Sequence, residues 1–203
     1  MVSTIFSWLA VGILLLAVPA LTVVRDWRWV LGLLAAIYLA AFLLVLQHWP
    51  LAMGVVKLVT GWMGTAALGM TLLNLPSDEE GRGSFFVEGG PFRLVGAGMV
   101  ILLVVGAAPR IEAVIPGICQ PVLIGGLTLV GVGMLHLGMT SDVLRVVTGL
   151  LVILAGFEIV YAAVETSILV AALLSAATLG LALAGSYLIL QSQPEVEEEE
   201  GLL

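Results

Sequence analysis

Seven stretches of this chain are long and apolar enough to cross a lipid bilayer, and they limit the possible folds more than any other feature. A helix that crosses the hydrocarbon core needs about 20 apolar residues. Backbone groups in lipid must bond internally, and these runs are too long for barrel strands, so each is predicted to be an α-helix. The runs are Ile5–Val24, Trp29–Gln47, Leu51–Leu73, Phe92–Ala108, Cys119–Gly138, Val146–Val164 and Ser167–Leu190.

The composition fits a chain that uses lipid as its solvent. Hydrophobic residues make up 61% of the 203 residues and charged residues only 10%, whereas a soluble domain carries about 25% charged residues. We therefore expect an all-α polytopic, multi-pass protein of the cell membrane, with the lipid bilayer around it. The formal net charge of −7 is concentrated near the C-terminus, so it gives no reason to expect nucleic-acid binding.

The chain divides into three predicted regions. Residues 1–115 are predicted to form a four-helix membrane region with an acidic, Gly-rich loop at 74–91, and residues 116–192 a three-helix region. Residues 193–203 contain five glutamates and are predicted to form a disordered acidic tail. No Lys or Arg precedes the first apolar run, so we interpret it as a retained helix and not as a signal peptide.

The basic residues predict the orientation of the chain in the membrane. The loops after the first, third and fifth runs share one side, and the other side holds only Arg110. Lys and Arg are enriched in cytoplasmic loops, so we expect the N-terminus outside and the C-terminus in the cytoplasm. The basic residues of the predicted cytoplasmic side are Arg25, Arg28, Arg82, Arg93 and Arg145.

Two oppositely charged residues, Lys57 and Glu158, are the main candidates for a functional site within the predicted spans. Both lie about 9 Å from the outer side, because a helix rises 1.5 Å per residue. A pair at one depth is physically reasonable, since each charge lowers the cost of inserting the other. Burial favours a neutral carboxyl whereas a nearby cation favours a charged one, so both states can be reached, as a proton path requires. Two alternatives stay open: Lys57 extends to the interface, or the pair is only structural.

Two further ionisable residues, Glu165 and His136, complete the candidate proton path. Glu165 follows Glu158 by seven residues, and at a helix end an interfacial carboxylate needs no function. His136 is predicted near the cytoplasmic end of the fifth helix, whereas His48 is predicted at the outer end of the second. The two histidines therefore cannot both ligate one haem.

No catalytic or metal-binding motif was found in the sequence. There is no P-loop, GxSxG, HExxH or CxxC pattern. Cys119 is the only cysteine, which excludes disulfides, iron–sulfur clusters and thiolate zinc sites within one chain. We expect Cys119 to be a buried structural thiol, and we predict no cofactor and no metal.

The segments "VVRDWRW" and "VVKLVTG" resemble the basic and aromatic turn and the lysine-bearing third helix of the hydrogenase-4 component E family. The C-terminal half is also similar to subunit K of NADH-quinone oxidoreductase (complex I). The segment "LRVVTGLLVILAGFEIVYA" resembles the glutamate-bearing helix of the K subunits. The resemblance implies a non-redox, non-catalytic subunit of a complex I-like or membrane-bound hydrogenase-like assembly. Its partners would be other membrane subunits, and its buried glutamate would belong to a proton or sodium path. Family members often carry a second acid in the last helix, where this chain has Ser167, Ser175 and Thr178.

The main alternative is a stand-alone multipass membrane protein, such as a small transporter or an assembly scaffold. Transporters often contain internal repeats or helices broken at the membrane midplane, and no convincing duplication is visible here. An independent membrane enzyme ranks third, because no catalytic constellation is present. Small residues recur along the last run and are expected to let a neighbouring helix approach closely, mainly by packing within the chain. They are Ala172, Ala176, Gly180 and Ala184.

Overall fold

The computed structural model describes residues 2–75, 89–115 and 117–192, and these residues form seven α-helices. Each helix is long and apolar enough to cross a bilayer. The prediction of an all-α polytopic membrane protein with seven spans is therefore confirmed. The acidic tail at 193–203 and most of the predicted acidic loop, at 76–88, lie outside the described residues. The helices are α1 (Val2–Val23), α2 (Trp27–Val45), α3 (Leu51–Leu73), α4 (Gly90–Val114), α5 (Gln120–Gly138), α6 (Val143–Val164) and α7 (Ile168–Gln191).

The fourth helix departs most from its predicted bounds. It runs from Gly90 to Val114 and passes through Pro109, whereas its apolar run covers only Phe92–Ala108. Hydropathy falls where Pro109 and Arg110 interrupt the apolar run. Pro109 has no backbone N–H, so one hydrogen bond within the helix is missing. The loss of this bond does not end the helix, and α4 continues beyond Pro109 and Arg110.

The sixth helix begins earlier than its apolar run predicted. It starts at Val143, with Asp142 as its N-cap residue, so Arg145 lies inside the first turn and not in a loop. The second helix also begins early, at Trp27, because the Asp26 carboxylate accepts a hydrogen bond from the Arg28 amide (3.0 Å). Such a capping residue satisfies a backbone donor that has no partner within the helix.

The helices pack in two layers. α4, α1, α2 and α3 lie side by side in that order, and α5, α6 and α7 form the second layer in chain order. Across the layers α5 packs against α4 and α1, α6 against α2, and α7 against α3. The hydrophobic core lies between the layers, where Leu14, Leu34 and Ile159 are fully buried.

The closest helix contact joins α5 to α6 through glycines spaced seven residues apart on each helix. Gly126 and Gly133 of α5 face Gly156 and Gly149 of α6. A Cβ atom added at Gly156 would lie 2.7 Å from the Gly126 carbonyl oxygen and 2.9 Å from the Val130 amide nitrogen. Backbone atoms cannot move aside as side chains do, so this approach requires glycine. Small residues allow such close packing of helices in membranes.

The small-residue face of α7 does not pack within the described part of the chain, contrary to our expectation. Ala172, Ala176, Gly180 and Ala184 are all exposed, and no atom lies within 4 Å of a Cβ built at Gly180. α7 instead turns another face toward α3 and α6, because that face offers hydroxyls and small residues to the core. Its buried residues include Ser175, Thr178, Ala182 and Gly185.

The arginines of the described residues concentrate at one end of the bundle. We call this the basic end; α1 and α5 end there, and α4 and α6 begin there. The other end, where α2 and α6 finish, is called the opposite end and holds Arg110. The basic end holds Arg25, Arg28, Arg93 and Arg145.

Candidate functional site

Lys57 and Glu158 form an ion pair inside the helix bundle. The Lys57 ammonium donates a hydrogen bond to Oε1 of Glu158. Lys57 lies in the second turn of α3, and Glu158 lies six residues before the end of α6. Both are therefore about 9 Å from the opposite end of the bundle, measured along their helices.

The lysine side chain bridges two helices that do not pack against each other. Both α3 and α6 contact α2 and α7, but they make no direct helix–helix contact, so they lie diagonally across this four-helix group. The Lys57 stem crosses between α2 and α7 to reach the carboxylate. Lys57 is only 8% exposed and Glu158 only 6%, so the alternative in which Lys57 extends to the interface is not what the structure has.

A third helix contributes a hydroxyl to the pair. The Thr178 hydroxyl of α7 lies 3.3 Å from Glu158 Oε1 and 2.9 Å from the Leu174 carbonyl oxygen. A hydroxyl carries a single proton, so it can donate to only one of these acceptors at a time. Thr178 can therefore turn its proton toward the carboxylate or away from it.

A tyrosine of α2 completes the surroundings of the pair. The Tyr38 hydroxyl is buried and has no hydrogen-bond partner among the described residues. Tyr38 lines a cavity of about 10 Å³ together with Lys57 and Glu158, which is about the volume that holds the centre of one water molecule. A Cβ atom at Gly61 would overlap the Tyr38 ring, so this glycine makes room for the ring one helical turn along α3 from Lys57.

His136 belongs to a different place in the fold. It is buried near the end of α5, beside Arg145 at the basic end. Arg145 and Glu158 are 13 positions apart on α6, which corresponds to about 20 Å along the helix axis. The buried residues of α6 between them are mostly apolar, so the structure does not bring His136 to the Lys57–Glu158 pair.

Glu165 lies at the opposite end, outside the buried site. It is the exposed residue that follows α6, and its carboxylate accepts a hydrogen bond from the Thr166 amide. Its backbone carbonyl accepts a hydrogen bond from the buried Trp49 indole (3.0 Å). This contact fixes the α2–α3 turn against the α6–α7 turn, and no hydrogen bond joins Glu165 to Glu158 in the described part of the chain.

A groove at the opposite end is lined by residues near the start of α1, the end of α2 and the start of α5. Its volume is about 600 Å³, which is within the range of small-molecule sites. Cys119 contributes to it and is exposed, so our expectation of a buried thiol is wrong: at the N-cap of α5 the chain buries Ile118 instead. Burial lowers the pKa of His48, which also lines the groove. The remaining lining residues are Phe6, Leu43, Leu46 and Gln47.

Among the described residues, no three His, Cys, Asp or Glu side chains gather into a group that could hold a metal ion.

No protein-family model matches the chain, and neither does any curated protein or solved structure.

Sequence reasoning missed two members of the buried site. Tyr38 was not considered, because a single tyrosine in an apolar run carries no charge signal. Thr178 was noted only as a residue in the place of an expected acid. Its position one helical turn from Ser175 and Ala182 on the buried face of α7 was the available signal, but it becomes informative only once α7 is known to pack near α6.

Proposed function

We propose that this protein is a non-redox membrane subunit of a complex I-like or membrane-bound hydrogenase-like assembly, in which Glu158 is one station of a proton or sodium path. The observation that carries the proposal is the buried Lys57–Glu158 pair beside a water-sized cavity. Ionisable residues inside membranes are costly and commonly mark ion pathways. The type of assembly is taken from the resemblance of the three sequence segments quoted above.

The surroundings of Glu158 suit a group that takes up and releases a proton. Lys57 stabilises the charged carboxylate, and burial favours the neutral acid. The Thr178 hydroxyl donates to the carboxylate when it is charged and to the Leu174 carbonyl when it is neutral. A water molecule in the cavity would connect Glu158 to the unpartnered Tyr38 hydroxyl.

The surface of the bundle offers places for neighbouring membrane subunits. The exposed small-residue stripe of α7 would let another helix approach closely. The arginines of the basic end favour placing that end in the cytoplasm of a cell-membrane protein, with the N-terminus outside.

Ion movement by the assembled complex tests the role of Glu158. Glu158→Gln should leave the complex assembled and reduce ion movement by about tenfold or more, because an amide does not titrate. Glu158→Asp should retain part of the activity, since its shorter side chain weakens contact with Lys57 or a bridging water. Tyr38→Phe, which removes only the hydroxyl, should give a smaller loss.

The matched control is Glu112→Gln, which removes an exposed acid near the end of α4 and should leave ion movement unchanged. Proton and sodium transport are distinguished with a pH-sensitive dye and with radioactive sodium. Wild-type ion movement in Glu158→Gln would make the glutamate structural and would contradict the proposal.

The groove at the opposite end supports the second candidate, a stand-alone small transporter. Purification from native membranes in a mild detergent separates the two proposals. Co-purification of a defined set of membrane subunits supports the first, whereas a single monodisperse protein that moves a solute in liposomes supports the second.

A further inference from the structure

Two arginines at the basic end connect helices through backbone carbonyls. Nη2 of Arg145, in the first turn of α6, donates a hydrogen bond to the Val24 carbonyl just after α1 (2.7 Å). Nη2 of Arg93, in the first turn of α4, donates to the Met139 carbonyl just after α5. The last carbonyls of a helix have no partner within it, so both contacts satisfy acceptors that need a donor.

Each arginine nevertheless has an unused donor. Nη1 of Arg93 and Nη1 of Arg145 are enclosed and have no hydrogen-bond partner among the described residues. His136, which is 2% exposed, lies beside them and makes no hydrogen bond of normal geometry through either ring nitrogen. Arg145 itself is only 8% exposed. Buried polar groups are nearly always satisfied. Within the described part of the chain, Nη1 of Arg93 in α4 and Nη1 of Arg145 in α6 therefore lack an acceptor beside His136 of α5, which indicates a missing acceptor there.

The local charge points to an anion as that acceptor. Arg25 and Arg93 lie close enough to Arg145 to act on its charge. Asp142 is the one described acid paired with Arg145; its carboxylate is 4.0 Å from Nε and largely exposed. Among the described residues, the basic end holds four arginines and two acids, Asp26 and Asp142, so this part of the cluster has an excess of positive charge.

The helix termini add to this excess. Arg93 and Arg145 lie in the first turns of α4 and α6, where the helix dipole is positive and a cation is unfavourable. The N-cap residue of neither helix accepts a hydrogen bond through its side chain, so backbone N–H groups of both first turns remain available to an anion. An anion near both starts would relieve the repulsion and accept from these donors.

We propose that Arg93 and Arg145 bind the phosphate group of an anionic phospholipid at the basic end, with Arg25 at the rim of the site. The arginine fork matches the geometry of a phosphate group, and basic pockets between membrane helices bind anionic headgroups. Arg93 is partly exposed, so a headgroup would approach the two arginines from the bundle end. Next to Arg93, the apolar side chains of Phe92, Leu94 and Val95 are more than half exposed. The acyl chains of a phospholipid can pack against this surface, whereas a free phosphate ion gains no contact from it.

Native mass spectrometry and thermal unfolding of the full chain in a neutral detergent test this site. The wild type should retain phosphatidylglycerol in preference to phosphatidylcholine, and only phosphatidylglycerol should raise its melting temperature. Arg93→Gln and Arg145→Gln should each weaken phosphatidylglycerol binding about tenfold or more, as expected when a charge-assisted hydrogen bond is lost.

Arg110→Gln is the matched control, because it removes an exposed arginine from the far end of α4; it should bind phosphatidylglycerol as the wild type does. If Arg145→Gln fails to fold, Arg93→Gln decides, since Arg93 is less buried. Equal binding of the two lipids, unchanged binding in Arg93→Gln, or the same stabilisation by millimolar inorganic phosphate would overturn the proposal. None of these outcomes depends on the ion path through Glu158.

Discussion

Removing the cation from the buried pair should destabilise the protein strongly. In Lys57→Met the carboxylate of Glu158, which is 6% exposed, keeps the Thr178 hydroxyl as its one hydrogen-bond partner among the described residues. Leaving one member of a buried ion pair alone costs about 3–5 kcal/mol. We expect a loss near the lower end of that range, because Thr178 still donates and the cavity can admit a water molecule.

The double variant should recover much of that loss. Glu158→Gln alone leaves the Lys57 ammonium without its partner, at a smaller cost, because the long stem can carry the charge toward the interface. Lys57→Met combined with Glu158→Gln removes both charges, and neutral replacements of a buried pair are often tolerated. The coupling free energy between the two positions should therefore be about 2 kcal/mol or more.

Titration with a denaturing detergent measures these free energies of unfolding, with the fluorescence of the five tryptophans as the readout. Arg110→Gln serves as a control for the loss of an exposed charge, and surface changes of this kind usually alter stability by less than about 0.5 kcal/mol. If the effects of Lys57→Met and Glu158→Gln add to within about 0.5 kcal/mol, the two charges share no stabilising energy. The account of the site as a mutually dependent pair would then be refuted.

Three further predictions follow from other parts of the bundle. Gly156→Ala should destabilise the protein by about 1–3 kcal/mol, because the added Cβ would meet backbone atoms of α5. Gly180→Ala should be tolerated, because the space around Gly180 is open. Titration of both variants with a denaturing detergent checks this difference. Reporter fusions after Asn74 and at the C-terminus should both report a cytoplasmic position, and opposite readings at the two points would refute the number of helices. Burial lowers the pKa of His48, so the imidazole binds a proton more readily in the unfolded chain than in the folded one. The free energy of unfolding should therefore fall as the pH drops below about 6.5. His48→Gln should reduce this loss of stability.

The positions of the spans could be read from the sequence because hydropathy directly reports the solvent around a helix. The third helix has the predicted bounds, Leu51–Leu73. The fourth does not, since hydropathy treats Pro109 as an end although a helix can pass through one proline. The start of α6 was also misplaced, because the polar residue Arg145 in its first turn lowers the hydropathy there although the backbone is already helical from Val143.

The partners across the bundle could not be read from the sequence in the same way. A shared depth suggested that Lys57 could meet Glu158, since both positions follow from counting residues. Depth gives no angular position, however, so nothing in the sequence indicated that Tyr38 and Thr178 flank the pair. The stripe from Ala172 to Ala184 was assigned to internal packing for the same reason: small residues mark a close contact without identifying the partner.

The separation of the two polar regions limits what this chain can do alone. Glu158 lies about 9 Å from the opposite end, and about 20 Å of helix separates it from Arg145 at the basic end. The intervening buried residues of α6 include Leu151, Val152 and Ala155, whose side chains can neither donate nor accept a proton. Along α6 itself, a proton path through Glu158 would therefore reach the opposite end easily but not the basic end. To reach the basic end, a proton would have to pass along other helices, where Thr65 of α3 and Ser186 of α7 are buried hydroxyls, or cross into a neighbouring subunit, which the proposed assembly would supply.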